Sequence, residues 1–240
     1  MSSRGPGRWL RRLVVTLVVL GVLAVAVDLA AKWVAQNQLA SMAEQEAARY
    51  DVRAAETSVD IGGFGFLPQL AKEDFSKVTL TMKQPTFESV PAEDLKVEMT
   101  GVHVPRGVLT REPGTAVTVD STQMRLQLSP AELAKLAARS TGLDGLTLSV
   151  VDGKLHGKLS VRGIEADATI KPQVQKGRIL LVVDQLSDAV PSYLQNVVKS
   201  QLSRGITIPA LPFGATLNQI GVEGSSIVLT ASVADLKLAD

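Results

Sequence analysis

The chain contains no cysteine. This excludes a disulfide framework, a thiolate metal centre and a lipid anchored through a lipobox cysteine, so any attachment to a membrane must come from the polypeptide itself. Histidine is nearly as scarce, with only His103 and His156. Each lies between apolar neighbours of opposite strand parity and is expected to face solvent, and neither has a second ligand at metal-binding spacing. No Gly-x-Ser-x-Gly elbow occurs. Gly63-Phe64-Gly65 opens like a phosphate-binding loop, but Pro68 stands where the third glycine belongs, and no helix start is expected after it. Glu93-Asp94 follows Pro91 and reads as a solvated turn, because adjacent side chains diverge on extended chain. No catalytic residue and no metal ligand is therefore assigned, and the expectation is a protein that is not an enzyme. Aromatic residues make up only 4% of the chain, so its interior must be aliphatic. There is also no glycosylation sequon, since Asn37, Asn196 and Asn218 all lack a hydroxyl residue two positions on.

The strongest positive signal is at the N-terminus. Arg4, Arg8, Arg11 and Arg12 precede an apolar run, Leu13–Val27, that stops at Asp28. A basic start followed by an apolar core marks an export segment, and the arginine excess puts the N-terminus in the cytoplasm and the rest of the chain outside. Two outcomes remain open. At 1.5 Å per residue the run spans roughly 22 Å, short of the roughly 30 Å hydrocarbon core, and Ala24-Val25-Ala26 is a small-x-small site for cleavage after Ala26. Conversely, Leu29-Ala30-Ala31 prolongs the apolar character, Lys32-Trp33 resembles an interfacial pair, and Arg11 and Arg12 can snorkel. These flanks favour a retained anchor. Residues 1–28 are thus read as a cytoplasmic arginine-rich start with a signal anchor or signal peptide, and residues 29–240 as an extracytoplasmic domain. Without the four arginines the chain from Asp28 to Asp240 carries 21 basic against 24 acidic residues, a net charge of −3. With no basic stripe, it is not built for nucleic acid.

From Leu29 to about Tyr50 the pattern is helical, with Trp33, Ala40, Ala43, Ala47 and Tyr50 at three- and four-residue spacings. Period-two segments follow. Val78, Leu80 and Met82 alternate with Lys77, Thr79, Thr81 and Lys83, and the same holds around Leu95–Val104, Val117–Val119 and Met124–Leu128. Strands with one aliphatic face suit an antiparallel sheet. Ser129 with Pro130 and Glu132 forms a capping box for a helix that Gly142 ends. Asp152-Gly153 signals a hairpin, and further strands are expected at Ile164–Ile170 and Ile179–Val183. Another helix is expected from Ser187 or Asp188 to Arg204, before closing strands at Thr216–Val222 and Ile227–Leu238. This order is α+β with a large antiparallel sheet.

Two uncharged segments break the alternation: Ile61-Gly62-Gly63-Phe64-Gly65-Phe66-Leu67-Pro68-Gln69-Leu70 and 206–214, Ile-Thr-Ile-Pro-Ala-Leu-Pro-Phe-Gly. They are either tight bends that cap the core or an apolar rim that meets membrane or lipid. The residues alone favour the bend.

These segments, following the export segment, Asp28 and an alanine-rich helix, resemble the LmeA-like phospholipid-binding family of actinobacterial cell envelopes. The Val59–Leu70 stretch carries the likeness, and Leu211-Pro212-Phe213-Gly214 before two closing strands matches the C-terminal pattern. One departure is Gly65, which stands before Phe66-Leu67 where that family has proline and adds backbone freedom at the bend. The resemblance implies a curved antiparallel sheet packed around amphipathic helices, of the tubular lipid-binding kind. It also implies phospholipid binding or shuttling outside the cytoplasmic membrane, in support of lipoglycan assembly. No cofactor is implied beyond a bound phospholipid. Phe64, Phe66, Leu67, Leu211 and Phe213 become the candidate lipid-binding residues. The partners expected are membrane phospholipid and the cytoplasmic membrane; the rival role is that of a structural partner of an envelope glycosyltransferase or transporter.

Overall fold

A computed structural model describes residues 7–49, 51–87, 90–109, 115–142, 145–161, 164–186, 195–196, 200, 202, 205–208 and 214–239. The chain opens with one uninterrupted helix, α1 (Gly7–Arg49), about 65 Å long at 1.5 Å per residue. The apolar run Leu13–Val27 and the alanine-rich helix are therefore one element. Its two halves have different surroundings. Every residue from Val14 to Val27 is exposed, whereas from Asp28 onward one side is half-buried at Ala31, Lys32, Ala35, Gln36, Ala40, Ala43 and Ala47. Alanines on this side let the helix axis approach the domain closely.

The fold is α+β; among the described residues all ladder pairing is antiparallel, and the strands are divided among three sheets. The largest contains β2 (Glu56–Ile61), β3 (Asp74–Lys83), β6 (Asp94–His103), β7 (Ala116–Leu128), β12 (Thr216–Glu223) and β13 (Ser226–Ala239), in the order β12-β13-β7-β6-β3-β2. Its register explains the alternation in the sequence. Val59, Leu80, Val97, Met124, Ala231 and Leu217 stand opposite one another in a single row across all six strands. The next row is Ser58, Thr81, Lys96, Arg125, Thr230 and Gln219. Successive side chains point to opposite faces, so one face is aliphatic and the other polar. A second sheet, β11-β10-β9-β8, comprises β8 (Leu146–Val151), β9 (Lys154–Val161), β10 (Ile164–Gln175) and β11 (Arg178–Leu186). Asp152 and Gly153 turn its first hairpin, both at positive φ. Three two-residue strands, β1 (Val52–Arg53), β4 (Thr86–Phe87) and β5 (Val90–Pro91), make the smallest sheet.

The main core joins the two large sheets. Leu128 and Ile227 of the larger sheet, and Leu155, Ile179 and Leu181 of the smaller, share one cluster with Leu133 and Ala137 of α3 (Pro130–Thr141). The capping box expected at Ser129 is present: its hydroxyl accepts the Glu132 N–H at 3.2 Å, and Gly142 closes the helix in the left-handed conformation. Of the helix expected at 187/188–204, the described residues 195, 196, 200 and 202 are helical, and Leu202 is buried in the main core. The rest lies outside the described residues.

A row of broken pairing crosses the larger sheet at Ser76, Gly101, Asp120 and Asp235, where ladder partners on either side skip one pair. Gly101 and Asp235 both have positive φ there. The usual alternation is reset at this row, so Met99 and Val102, three residues apart, pack into the same apolar cluster. That cluster holds Ile61, Phe66, Phe75, Val119 and Leu236 and receives Ala31 and Ala35 of α1. The kink thus builds the end of the domain onto which α1 docks.

Candidate functional site

The segment singled out in the sequence lies at this docked end. β2 ends with the buried Ile61, and the chain then makes a four-residue loop, 62–65, before α2 (Phe66–Lys72). A helix at this point overturns the expectation that none begins there. Pro68 sits in its first turn, where a missing N–H costs nothing. Local sequence gives no cap signal because the preceding residue is Gly65, which caps nothing. The cap comes from another element: the Asp28 carboxylate on α1 accepts the N–H of Phe66 at 2.9 Å and that of Leu67 at 2.7 Å. A carboxylate at a helix N-terminus satisfies orphan donors and meets the positive end of the helix dipole. The residue that ends the apolar run is therefore also the one that fixes α2.

The loop is braced from inside by Gln69. Its Nε2 donates to the carbonyls of Gly62 at 3.1 Å and Gly65 at 2.9 Å, while its Oε1 accepts the N–H of Ser76 at 3.0 Å. Gly63 has φ +92° and packs so closely on Ser76 and Gln69 that a Cβ would collide with both. Further along α1, Gln36 donates to Asp60 at 3.0 Å and Lys32 pairs with the same carboxylate at 3.6 Å. At the far end of α2, Arg106 bridges Glu73 at 2.6 Å and donates to the Ala71 carbonyl at 3.2 Å. The loop is thus held on both flanks.

Within this frame the predicted rim residues part company. Phe64 is 98% exposed, with essentially its whole ring in solvent. Leu67 is 37% exposed on the outer side of α2. Phe66 is turned the other way: it is 8% exposed, its ring centroid is 5.9 Å from that of Phe75, and it belongs to the core that α1 covers. Phe66 is accordingly corrected from rim to core. The reason is helical geometry, since a helix entered at Phe66 points its first side chain back onto the sheet. Leu211 and Phe213 lie outside the described residues. Asp28 and Gln69 were not singled out as site residues; their roles depend on contacts made 38 and 7 residues away.

Exposed apolar side chains continue along α1 past Asp28, with Leu29, Trp33 and Val34 at 59%, 65% and 59%. From Leu13 to Val27 the helix carries no charged residue, and among the described residues it is the one helix long and apolar enough to cross a membrane. Inside the domain, Leu202 faces Gly157, Ala166, Ala168 and Ile170 across an apolar cavity of about 10 Å³, which is room for about one water molecule.

His103 is half-exposed rather than free. Its ring nitrogens lie 3.6 Å from Asp74 and 3.7 Å from Asp120, across the kinked row. Glu93 and Asp94 do diverge: Asp94 pairs with Lys83 at 2.7 Å, and Glu93 accepts the Ser226 hydroxyl. Among the described residues no group of three or more His, Cys, Asp or Glu side chains is placed to hold a metal ion.

A family model described as LmeA-like phospholipid-binding matches residues 26–232 of the chain. The match begins two residues before Asp28, takes in the docked half of α1 and both large sheets, and ends within the last strand, β13. No curated protein and no solved structure matches.

Proposed function

The chain belongs to the LmeA-like phospholipid-binding family, and from that premise we propose that it is a membrane-anchored, extracytoplasmic protein that takes phospholipid from the bilayer and presents or shuttles it in support of envelope lipoglycan assembly. The observation that carries this reading is the division of α1. Its stretch from Val14 to Val27 is apolar and bare, and its stretch from Asp28 onward is packed into the domain with no linker between them. The arginines before Leu13 favour a cytoplasmic N-terminus with residues 29–240 outside. Phe64 and Leu67 are the exposed apolar groups that would meet lipid first. The domain works by binding, and no residue is assigned a catalytic role.

The energetics suit exchange. Burying about a dozen methylenes stabilises a chain by on the order of 10 kcal/mol against water, at about 0.8 kcal/mol each. A phospholipid leaving a bilayer gives up nearly the same amount, so protein and membrane are close to balanced. The cavity beside Leu202 holds far less than an acyl chain.

Residues 14–27 are exposed throughout, so the chain from Asp28 onward keeps the domain's packing. Purified without detergent and extracted into organic solvent, it is expected to yield stoichiometric phospholipid by mass spectrometry. A folded, lipid-free domain that ignores liposomes would sink this reading and leave a scaffolding role beside an envelope glycosyltransferase or transporter.

A further inference from the structure

We propose that the 62–65 loop is a membrane wedge: Phe64 inserts among the lipids of the leaflet from which α1 emerges, and Asp28 sets its depth. The proposal rests on the membrane-spanning reading of α1 and adds a second contact with the bilayer. Three observations meet at one level of the molecule. First, the bare apolar run of α1 ends at Asp28, so Asp28 marks where the helix passes from lipid to domain. Second, the Asp28 carboxylate holds the N–H groups of Phe66 and Leu67. Phe64 lies two residues before Phe66, so its backbone is within about 7 Å of a residue bonded to Asp28. Third, Phe64 is 98% exposed on a loop that Gln69 and a positive-φ Gly63 hold rigid.

A large aromatic ring left wholly in water on a braced loop has no folding benefit of its own. Its position beside the mouth of an apolar helix points to lipid as its partner, and Leu29 and Trp33 are likewise exposed on α1 within five residues of Asp28. Asp28 acts as a positioning residue. Its charge is matched by two N–H donors, so it can sit at the lipid boundary without leaving an unpartnered carboxylate there. It also ties Phe64 to the helix axis, so that wedge and anchor enter the same surface together.

The absence of cysteine makes the test direct. The full-length chain bearing Phe64→Cys, labelled with a nitroxide, is reconstituted into phosphatidylethanolamine–phosphatidylglycerol vesicles, and collisions with oxygen and with a water-soluble nickel complex are measured. The exposed turn residue Ser225, labelled as Ser225→Cys, is the reference for water. High oxygen and low nickel accessibility at position 64 is the expected result. Nickel accessibility equal to that at position 225 places the loop in water, and low accessibility to both places it against protein; either overturns the wedge. Adding Asp28→Ala should return the label to the nickel-accessible state, and Asp28→Asn, which keeps one acceptor oxygen, should fall between. An unchanged depth in a folded Asp28→Ala protein removes Asp28 from the proposal. If Asp28→Ala does not fold, the Asn variant and the label at position 64 alone still decide. Phospholipid recovered from the purified domain is independent of these outcomes, so a lipid-laden protein with residue 64 in water loses the wedge and keeps the binding function.

Discussion

The side chain of Asp120 stands over the α-carbon of Gly101, in the space where any other residue would carry its Cβ. Gly101 has φ +61°, a conformation that costs a non-glycine residue about 1–2 kcal/mol before any collision. Gly101→Ala is therefore expected to destabilise the domain by more than about 2 kcal/mol and to loosen the docking of α1, because the kinked row shapes the surface on which Ala31 and Ala35 rest. Chemical denaturation with a probe on each large sheet checks this. A variant as stable as the parent would show that the kink is not maintained by this residue.

Phe64 and Phe66 are two residues apart and are expected to respond in opposite ways. Phe66→Ser removes a ring packed on Phe75 and should cost about 3–5 kcal/mol, as large-to-small changes in cores do. Phe64→Ser touches nothing in the domain, so stability should stay within about 0.5 kcal/mol of the parent while vesicle binding weakens. Melting curves and liposome flotation of the two variants separate the roles.

Thr122 lies on the aliphatic side of the larger sheet, 1% exposed, and its hydroxyl has no hydrogen-bond partner. A buried hydroxyl without a partner costs about 1–3 kcal/mol. Thr122→Val keeps the shape and is expected to raise stability by about 1 kcal/mol, read as a higher denaturation midpoint at unchanged slope. A loss of stability would mean that the hydroxyl finds a partner in solution.

Glu98 sits between Lys96 at 2.6 Å and Lys77 at 2.9 Å on the polar face. Hydrogen bonds from Lys96 first, then Lys77, lower its pKa to about 2, against an ordinary 4.5. A depressed carboxylate pKa contributes stability that is complete above the ordinary value and is lost as pH falls from about 4.5 to about 2. Glu98→Gln should flatten the acid limb of the stability curve in that window. The site is solvent-screened, so the effect at pH 7 is expected to stay below about 1 kcal/mol.

The strands are legible in the sequence because the row containing Leu80, Val97 and Met124 alternates with the row containing Thr81, Lys96 and Arg125, and period two survives in any local window. Ser129 and Asp152-Gly153 are legible for the same reason: a cap or a two-residue turn is complete within a few residues. α2 is hidden because its cap lies 38 residues upstream on α1. Phe64 and Phe66 cannot be told apart without knowing that a helix starts between them. The kink at Gly101 is equally silent, since it needs Asp120 and Asp235 from strands far along the chain. Short-range chemistry is written in neighbouring letters, whereas the geometry of the site comes from pairs that only the fold brings together.

The unbroken course of α1 has a further consequence once it spans a bilayer. A flexible tether would let the domain sweep a volume and meet partners at many heights. A rigid one leaves it a single altitude and, apart from spinning about the helix axis, a single attitude. Its encounters then become collisions in two dimensions, governed by lateral diffusion, and any partner must present its own contact surface at that same elevation.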